Sequence, residues 1–340
     1  MKTGWWKLLA VLLLLIASIA ALWVPLAPDL VHVTPDRIDA GPVELTVTGY
    51  NTRFSEVDLV AIENDGQRLC AIGMDLLDDT HLKARFMVPI GLRADLSDLI
   101  VGDLRYKGAL FTQSKGSGIQ SQACPPGSLT KTTPPAASRF EFPNRSILYE
   151  SIRNLCFHVP MWFAMIVLMA ISVVYSIRVL GSNSLEQDQA ALSAVRVGLL
   201  FCSLGLITGA LWARATWGAF WTNDVKLNGA AVTALIYLAY LVLRGSVPDP
   251  HKRARLAAIY NIFAFVLLVL FLFVVPRLNA IDSLHPGNGG NSGFNDLDLD
   301  NRLRVVFYPA VLGWVLLGTW MFNLHYRRSR LALRNDPWNA

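Results

Sequence analysis

The sequence predicts an all-α polytopic membrane protein of about six transmembrane helices, with an inserted non-cytoplasmic β-sandwich-like domain. Three observations predict it. Six runs of the 340-residue chain are apolar over lengths that suit a membrane-crossing helix. Charged residues make up 16% of the chain against 53% hydrophobic, where a soluble domain carries about 25% charge. Finally, if all six runs cross, the Lys and Arg residues of the short connections fall on one side.

A chain in lipid must bond every backbone N–H and C=O within itself, so apolar runs of about 20 residues become helices. The runs are Leu8 to Ala27, Phe157 to Ile177, Val197 to Ala213, Leu227 to Leu243, Leu256 to Val275 and Val305 to Tyr326. The third and fourth are short and are expected to borrow a turn from their flanks. The first has a rival reading as a cleaved signal peptide, because a basic start and apolar core are followed by Ala20 and Ala21. Cleavage would leave the other five oriented alike.

Orientation follows the basic residues. Lys2 and Lys7 precede the first run, and Arg178 and Arg196 flank the second connection. Arg244, Lys252, Arg253 and Arg255 lie between the fourth and fifth runs, and Arg327, Arg328, Arg330 and Arg334 follow the sixth. That side is read as cytoplasmic, with both termini on it, in the cytoplasmic (inner) membrane. The opposite side receives 29–152, 214–226 and 276–304. The net charge of +5 is thus explained by topology, and no nucleic acid is implied.

The segment 29–152 differs in kind. Val43-Glu44-Leu45-Thr46-Val47-Thr48 alternates apolar with polar, as a half-buried strand does, and Val57 to Ile62 is similar. Turn formers at Gly49-Tyr50-Asn51, Asn64-Asp65-Gly66 and Gly102-Asp103 separate the strands. A β-rich domain is expected over 29–113, a Ser/Gly/Pro/Thr-rich linker over 114–152, a five-helix domain over 153–326 and a cytoplasmic tail over 327–340. Cys70 and Cys124 lie in the polar segment and are a candidate disulfide if that segment is outside the cytoplasm. No CxxC, CxxCH or HExxH motif occurs, and no catalytic triad or carboxylate pair suggests an enzyme.

Three constellations could carry chemistry. Phe157-His158-Val159-Pro160-Met161-Trp162 opens the second run; its imidazole is either a metal ligand or an interfacial residue solvated by water. The connection after the third run, Trp212 to Asp224, holds Trp212, Trp217, Phe220 and Trp221 with Gly218 and Asp224. It suits either an interfacial aromatic belt or a platform for a flat hydrophobic ligand, with Arg214 and Lys226 on its rim. The last outer segment carries His285 within Asp282 to Asn291, and alternating Asp296, Asp298 and Asp300 without EF-hand spacing. His32 and His81 lie in the β-type segment with no partner at metal spacing, and His251 and His325 are cytoplasmic on this topology, among basic residues.

His158-Val159-Pro160 followed by Trp217-Gly218-Ala219-Phe220-Trp221-Thr222-Asn223-Asp224 resembles the haem-handling proteins of cytochrome c maturation. The resemblance is to the CcmC type, with the CcsA type as a broader relative, and covers roughly 145–326. It implies haem b as transient cargo at the outer membrane face, with the tryptophan loop against its plane and two outer histidines as axial ligands. It implies partners: a membrane-tethered haem chaperone, and an ABC-type ATPase with its membrane partner. By motif match His158 is the first iron ligand, and Trp217, Gly218, Trp221 and Asp224 take the tryptophan-loop positions. Arg214, Lys226 or Arg277 would meet the propionates.

The chain departs from the pattern in three ways. Phe220 and Asn223 stand at aromatic or tryptophan positions. The second family histidine falls nearest Pro276, so His285 is the candidate replacement. Compact members lack the outer domain, which is expected to dock a maturation partner. Two rivals are a transporter of a small hydrophobic solute and a membrane anchor displaying the β-domain. The first wants polar groups in mid-membrane, where Ser203, Thr208 and Asn261 are found without an acid. The second leaves the aromatic loop unexplained.

Overall fold

The computed structural model describes residues 4–64, 67–89, 96–113, 124, 140–145, 148–278, 283–285 and 299–334. The chain divides into two compact units, Pro25–Tyr149 and the remainder.

Among the described residues, the larger unit holds the α-helices α1 (Trp5–Trp23), α2 (Leu155–Ser182), α3 (Leu185–Trp217), α4 (Val225–Ser246), α5 (Pro250–Val269) and α6 (Asn301–Arg334). All six are long and apolar enough to cross a membrane. A π-turn over Leu270–Val274 and a 3-10 turn over Val275–Arg277 extend α5. Successive helices run antiparallel, so α1, α3 and α5 finish where α2, α4 and α6 begin. Just before α2, the Arg153 guanidinium donates to the carbonyls of Ala21 and Val24 at the close of α1, at 2.7 and 2.6 Å. Those carbonyls have no intrahelical donor, and the cation answers the negative end of the helix dipole.

Two sequence expectations need correction. Helix α3 is not a short run with one borrowed turn; it begins twelve residues before Val197, at Leu185. The Ser184 side chain accepts from the Gln187 N–H, and Glu186 and Asp188 occupy the positive first turn. Arg244 and Arg196 are likewise not connection residues. Arg244 lies inside α4, 7% exposed, and grips Asp188 of α3 with two bonds of 2.5 and 2.6 Å. Such a planar two-point match satisfies both ions where water is excluded. Arg196 lies within α3.

The bundle core is built from Met165, Leu168, Phe201, Tyr237, Tyr240, Ala264 and their neighbours. Helix α2 packs closely on α3 because Gly198, Gly205 and Gly209 share one face of α3 at i, i+7 and i+11. A Cβ at these positions would fall 2.8 Å from Met169, 2.9 Å from Trp162 and 2.6 Å from His158. Mid-membrane polarity exceeds the sequence expectation. Asn261 of α5 donates to Ser172 and Ser176 of α2, both at 2.9 Å, and all three side chains are fully buried.

The smaller unit is β-rich. Its strands are β1 (Asp29–Thr34), β2 (Arg37–Asp39), β3 (Gly41–Tyr50), β4 (Val60–Asn64), β5 (Gln67–Cys70), β6 (Gly73–Asp78), β7 (His81–Val88), β8 (Leu96–Val101) and β9 (Leu104–Gln113). They form a four-stranded sheet, β1-β3-β7-β6, and a five-stranded sheet, β2-β9-β8-β4-β5. Only β2 and β9 pair in parallel among the described strands. Val47, Leu82 and Phe86 of the first sheet and Ile38, Val60, Leu99 and Leu110 of the second join one apolar cluster. Cys70 and Cys124 are disulfide-bonded, with Cα atoms 5.1 Å apart. Most of the expected linker, together with Asp65-Gly66, lies outside the described residues. Near its end, Phe142 is fully buried and bonds the backbone of Pro25 and Ala27.

Candidate functional site

The end of the bundle where α3 closes and α2 and α4 open gathers the chemistry. His158 lies in the first turn of α2, half-buried. Its ring sits in the recess at Gly209, with Trp162 and Trp212 packed edge-on at centroid distances of 6.2 and 5.8 Å. Its Nδ1 is 3.1 Å from the Thr208 hydroxyl. That hydroxyl spends its own hydrogen on the Leu204 carbonyl, at 2.8 Å. With that hydrogen so placed, Thr208 is an acceptor toward Nδ1–H, an arrangement that leaves the lone pair on Nε2; the ring has a further hydrogen bond with the Gly205 backbone.

Helix α3 ends at Gly218, whose φ of +79° is the left-handed conformation that suits glycine. The Gly218 carbonyl accepts from Arg214, and that guanidinium also lies 5.8 Å from the Phe220 ring centre. Phe220 and Trp221 are 57% and 46% exposed. The Trp221 indole N–H donates to Asn228 at 3.3 Å, and Asn228 donates to Asn223 at 2.8 Å. Asn223, where the family pattern has an aromatic, thus braces the loop from within.

Asp224 closes the loop and is 3% exposed. Its Oδ1 accepts from the backbone N–H groups of Lys226 and Leu227, at 2.8 and 3.3 Å, which caps α4. The same oxygen lies 3.0 Å from His285 Nδ1. Its Oδ2 accepts from the Ser283 hydroxyl at 2.7 Å and the Leu284 N–H at 2.8 Å. Burial pushes this carboxyl up, but the bonds from His285, Ser283 and Leu284 outweigh it and hold Asp224 well below the usual carboxylate range. An ionised acceptor at Nδ1 gives His285 the same tautomer as His158, with the lone pair on Nε2.

The His285 ring packs edge-on against Trp217 at 5.0 Å between centroids. Trp217 lies eight residues beyond Gly209, about 12 Å further along α3. His158 and His285 thus stand at the same end of the bundle, beside points of α3 that are about 12 Å apart. The structure places His158, Trp217, Gly218, Trp221, Asp224, His285 and Arg214 at one end of the bundle. It does not give them one kind of part. Gly218 ends a helix, Arg214 braces the turn, and Asp224 holds a histidine. Arg277 is exposed. Asp282, Asp296, Asp298 and the glycines of the last outer segment lie outside the described residues. Gly209 and Asn228 escaped the sequence reading, and Thr208 and Ser283 carried no role at a histidine there, because nothing in the local sequence says which histidine or indole each would meet.

With this geometry in view, the comparisons are decisive. The family model described as "CcmC: Heme exporter protein C" matches residues 138–336. The chain belongs to the CcmC family. The match takes in all of α2 to α6 and leaves α1 and the nine strands outside it. A protein named "Heme exporter protein C" from Bradyrhizobium diazoefficiens is 31% identical over 149 residues, 44% of this chain and 56% of that protein. Its namesake from Haemophilus influenzae is 25% identical over 198 residues, 56% of this chain and 74% of the other. A "Cytochrome c biogenesis protein CcsA" from Prochlorococcus marinus is 38% identical over 93 residues, 27% of this chain and 29% of the relative. The chain thus spans a little over half the length of the first CcmC relative and under a third of the CcsA one.

Proposed function

We propose that this CcmC-family chain binds haem b at the outer face of the cytoplasmic membrane and passes it to a membrane-tethered chaperone for cytochrome c maturation. Haem is cargo here, and no bond of it need be made or broken by this chain, so the protein acts as a binding module and not as an enzyme. One observation carries the reading. Two imidazoles from separate segments, His158 and His285, are each held at Nδ1 by an acceptor. Each therefore offers Nε2, the donor that haem iron takes from axial histidines.

The remaining parts serve that pair. Trp217 supports His285, and exposed Phe220 and Trp221 present apolar ring area to a flat macrocycle. Arg214 lies 5.8 Å from the Phe220 ring centre and is assigned to a propionate carboxylate. The basic residues at the opposite end of the bundle support a reading in which both termini are cytoplasmic. The outer side then takes the β-rich unit, read as a sandwich and as the docking surface for a maturation partner; its disulfide accords with an oxidising compartment. An ABC-type ATPase and its membrane partner complete the assembly.

Absorption of the full chain, purified in detergent from haem-replete cells, tests the proposal. Wild type is expected to carry a Soret band, and His158→Ala to lose most of it. A colourless wild type that takes up no added haem, or a His158→Ala variant with full occupancy, would overturn the assignment.

A further inference from the structure

Helix α3 packs against His158 with two consecutive residues, and neither belongs to a motif. The Gly209 recess leaves no room for a side chain: a Cβ there would stand 2.6 Å from His158 Cε1 and 3.2 Å from Nδ1. Both atoms belong to a ring already flanked by Trp162 and Trp212, so the ring has little freedom to retreat. Thr208 is equally constrained. Its hydroxyl hydrogen goes to the Leu204 carbonyl, with the Gly205 carbonyl also 3.2 Å away, so toward His158 it can act only as an acceptor. The His158 ring also has a hydrogen bond with the Gly205 backbone, so Thr208 is one of two neutral α3 groups that face its ring nitrogens.

We propose that Thr208 and Gly209 are the positioning residues of the His158 ligand: Gly209 sets where the imidazole stands, and Thr208 sets its tautomer and donor strength. This rests on the haem reading above and goes beyond it. The two imidazoles are then held unequally, His158 by neutral groups, the Thr208 hydroxyl and the Gly205 backbone, and His285 by a buried carboxylate. A hydrogen bond accepted from Nδ1–H makes Nε2 a stronger donor, and loss of such an outer partner typically lowers metal affinity about 10- to 100-fold. A weaker donor also favours ferrous over ferric iron, so the midpoint potential rises.

The test compares full-length wild type with Thr208→Val, Thr208→Ser, Gly209→Ala and His158→Ala, each purified in detergent and titrated with ferric haem. Haem-to-protein ratio, Soret position and Fe(III)/Fe(II) midpoint potential are read together. Thr208→Val keeps the shape of the side chain and removes the hydroxyl acceptor, leaving the hydrogen bond with the Gly205 backbone. It should weaken haem binding about tenfold and raise the potential, with Thr208→Ser restoring both. Gly209→Ala should give the spectrum of His158→Ala, and added imidazole should restore a six-coordinate spectrum to both. A thermal melt of each variant identifies any loss that comes from unfolding, which the serine rescue and the imidazole rescue would not repair. If His158→Ala loses haem but Thr208→Val matches wild type in affinity and potential, the positioning role is wrong while the haem site stands. If His158→Ala retains full haem, the site itself is wrong.

Discussion

Substitutions at Asp224 separate its two tasks. Asparagine caps a helix about as well as aspartate does, so Asp224→Asn should leave α4 intact while replacing a charged acceptor at His285 by a neutral one. Asp224→Ala removes both, and adds loss of the cap at roughly 1 kcal/mol. Spectral titration should therefore show weaker haem binding in both variants. A thermal melt should show appreciable destabilisation only in the alanine variant. Equal melting losses would mean that Asp224 is chiefly a cap. The motif match put Asp224 beside the haem; the coordinates put it behind a histidine. Sequence made His158, His285 and the tryptophans visible, because imidazole and indole are scarce and chemically distinctive. It could not reveal Thr208 or Asn228, whose roles depend on which ring lies opposite them.

At the scale of the element, the helices follow from hydropathy but their lengths do not. Averaging over a window counts Glu186, Asp188 and Arg196 as reasons to end α3, whereas Asp188 and Arg244 neutralise one another inside the bundle. Breaking such a pair from one side leaves a buried, unanswered charge, at a cost of about 3–5 kcal/mol, whereas replacing both partners with apolar residues is often neutral. Arg244→Met should therefore lower the melting temperature sharply, and the double variant Asp188→Leu with Arg244→Met should recover most of the loss. If the double variant melts no higher than the single one, the pair is not an isolated unit within the α3–α4 packing. The buried Asn261, Ser172 and Ser176 are explained in the same way. Their bonds are to one another and to the Met169 carbonyl, which ties α2 to α5. That internal pairing gives the transporter reading little support.

At the scale of the whole molecule, six helices long and apolar enough to cross a membrane were legible from the apolar length of their runs. The β-rich unit was legible in class from its alternation and turn formers, but its nine strands were not. The expected strand at Val57 to Ile62 begins only at Val60, because the 3-10 turn over Phe54–Glu56 precedes it. Sidedness is open to a direct check with a membrane-impermeant thiol reagent on intact cells. Glu56→Cys in the β-rich unit and Phe220→Cys in the aromatic loop should be labelled from outside, and His251→Cys should not. The native Cys156 and Cys202 are buried and should stay silent. Labelling of His251→Cys alone would invert the topology.

The most direct test of the two-histidine site is low-temperature electron paramagnetic resonance of the ferric, haem-loaded full chain. Bis-imidazole ligation predicts a low-spin signal in wild type that turns high-spin in both His158→Ala and His285→Ala. A high-spin wild type, or a low-spin signal that survives either substitution unchanged, would contradict the claim that these two imidazoles share one iron.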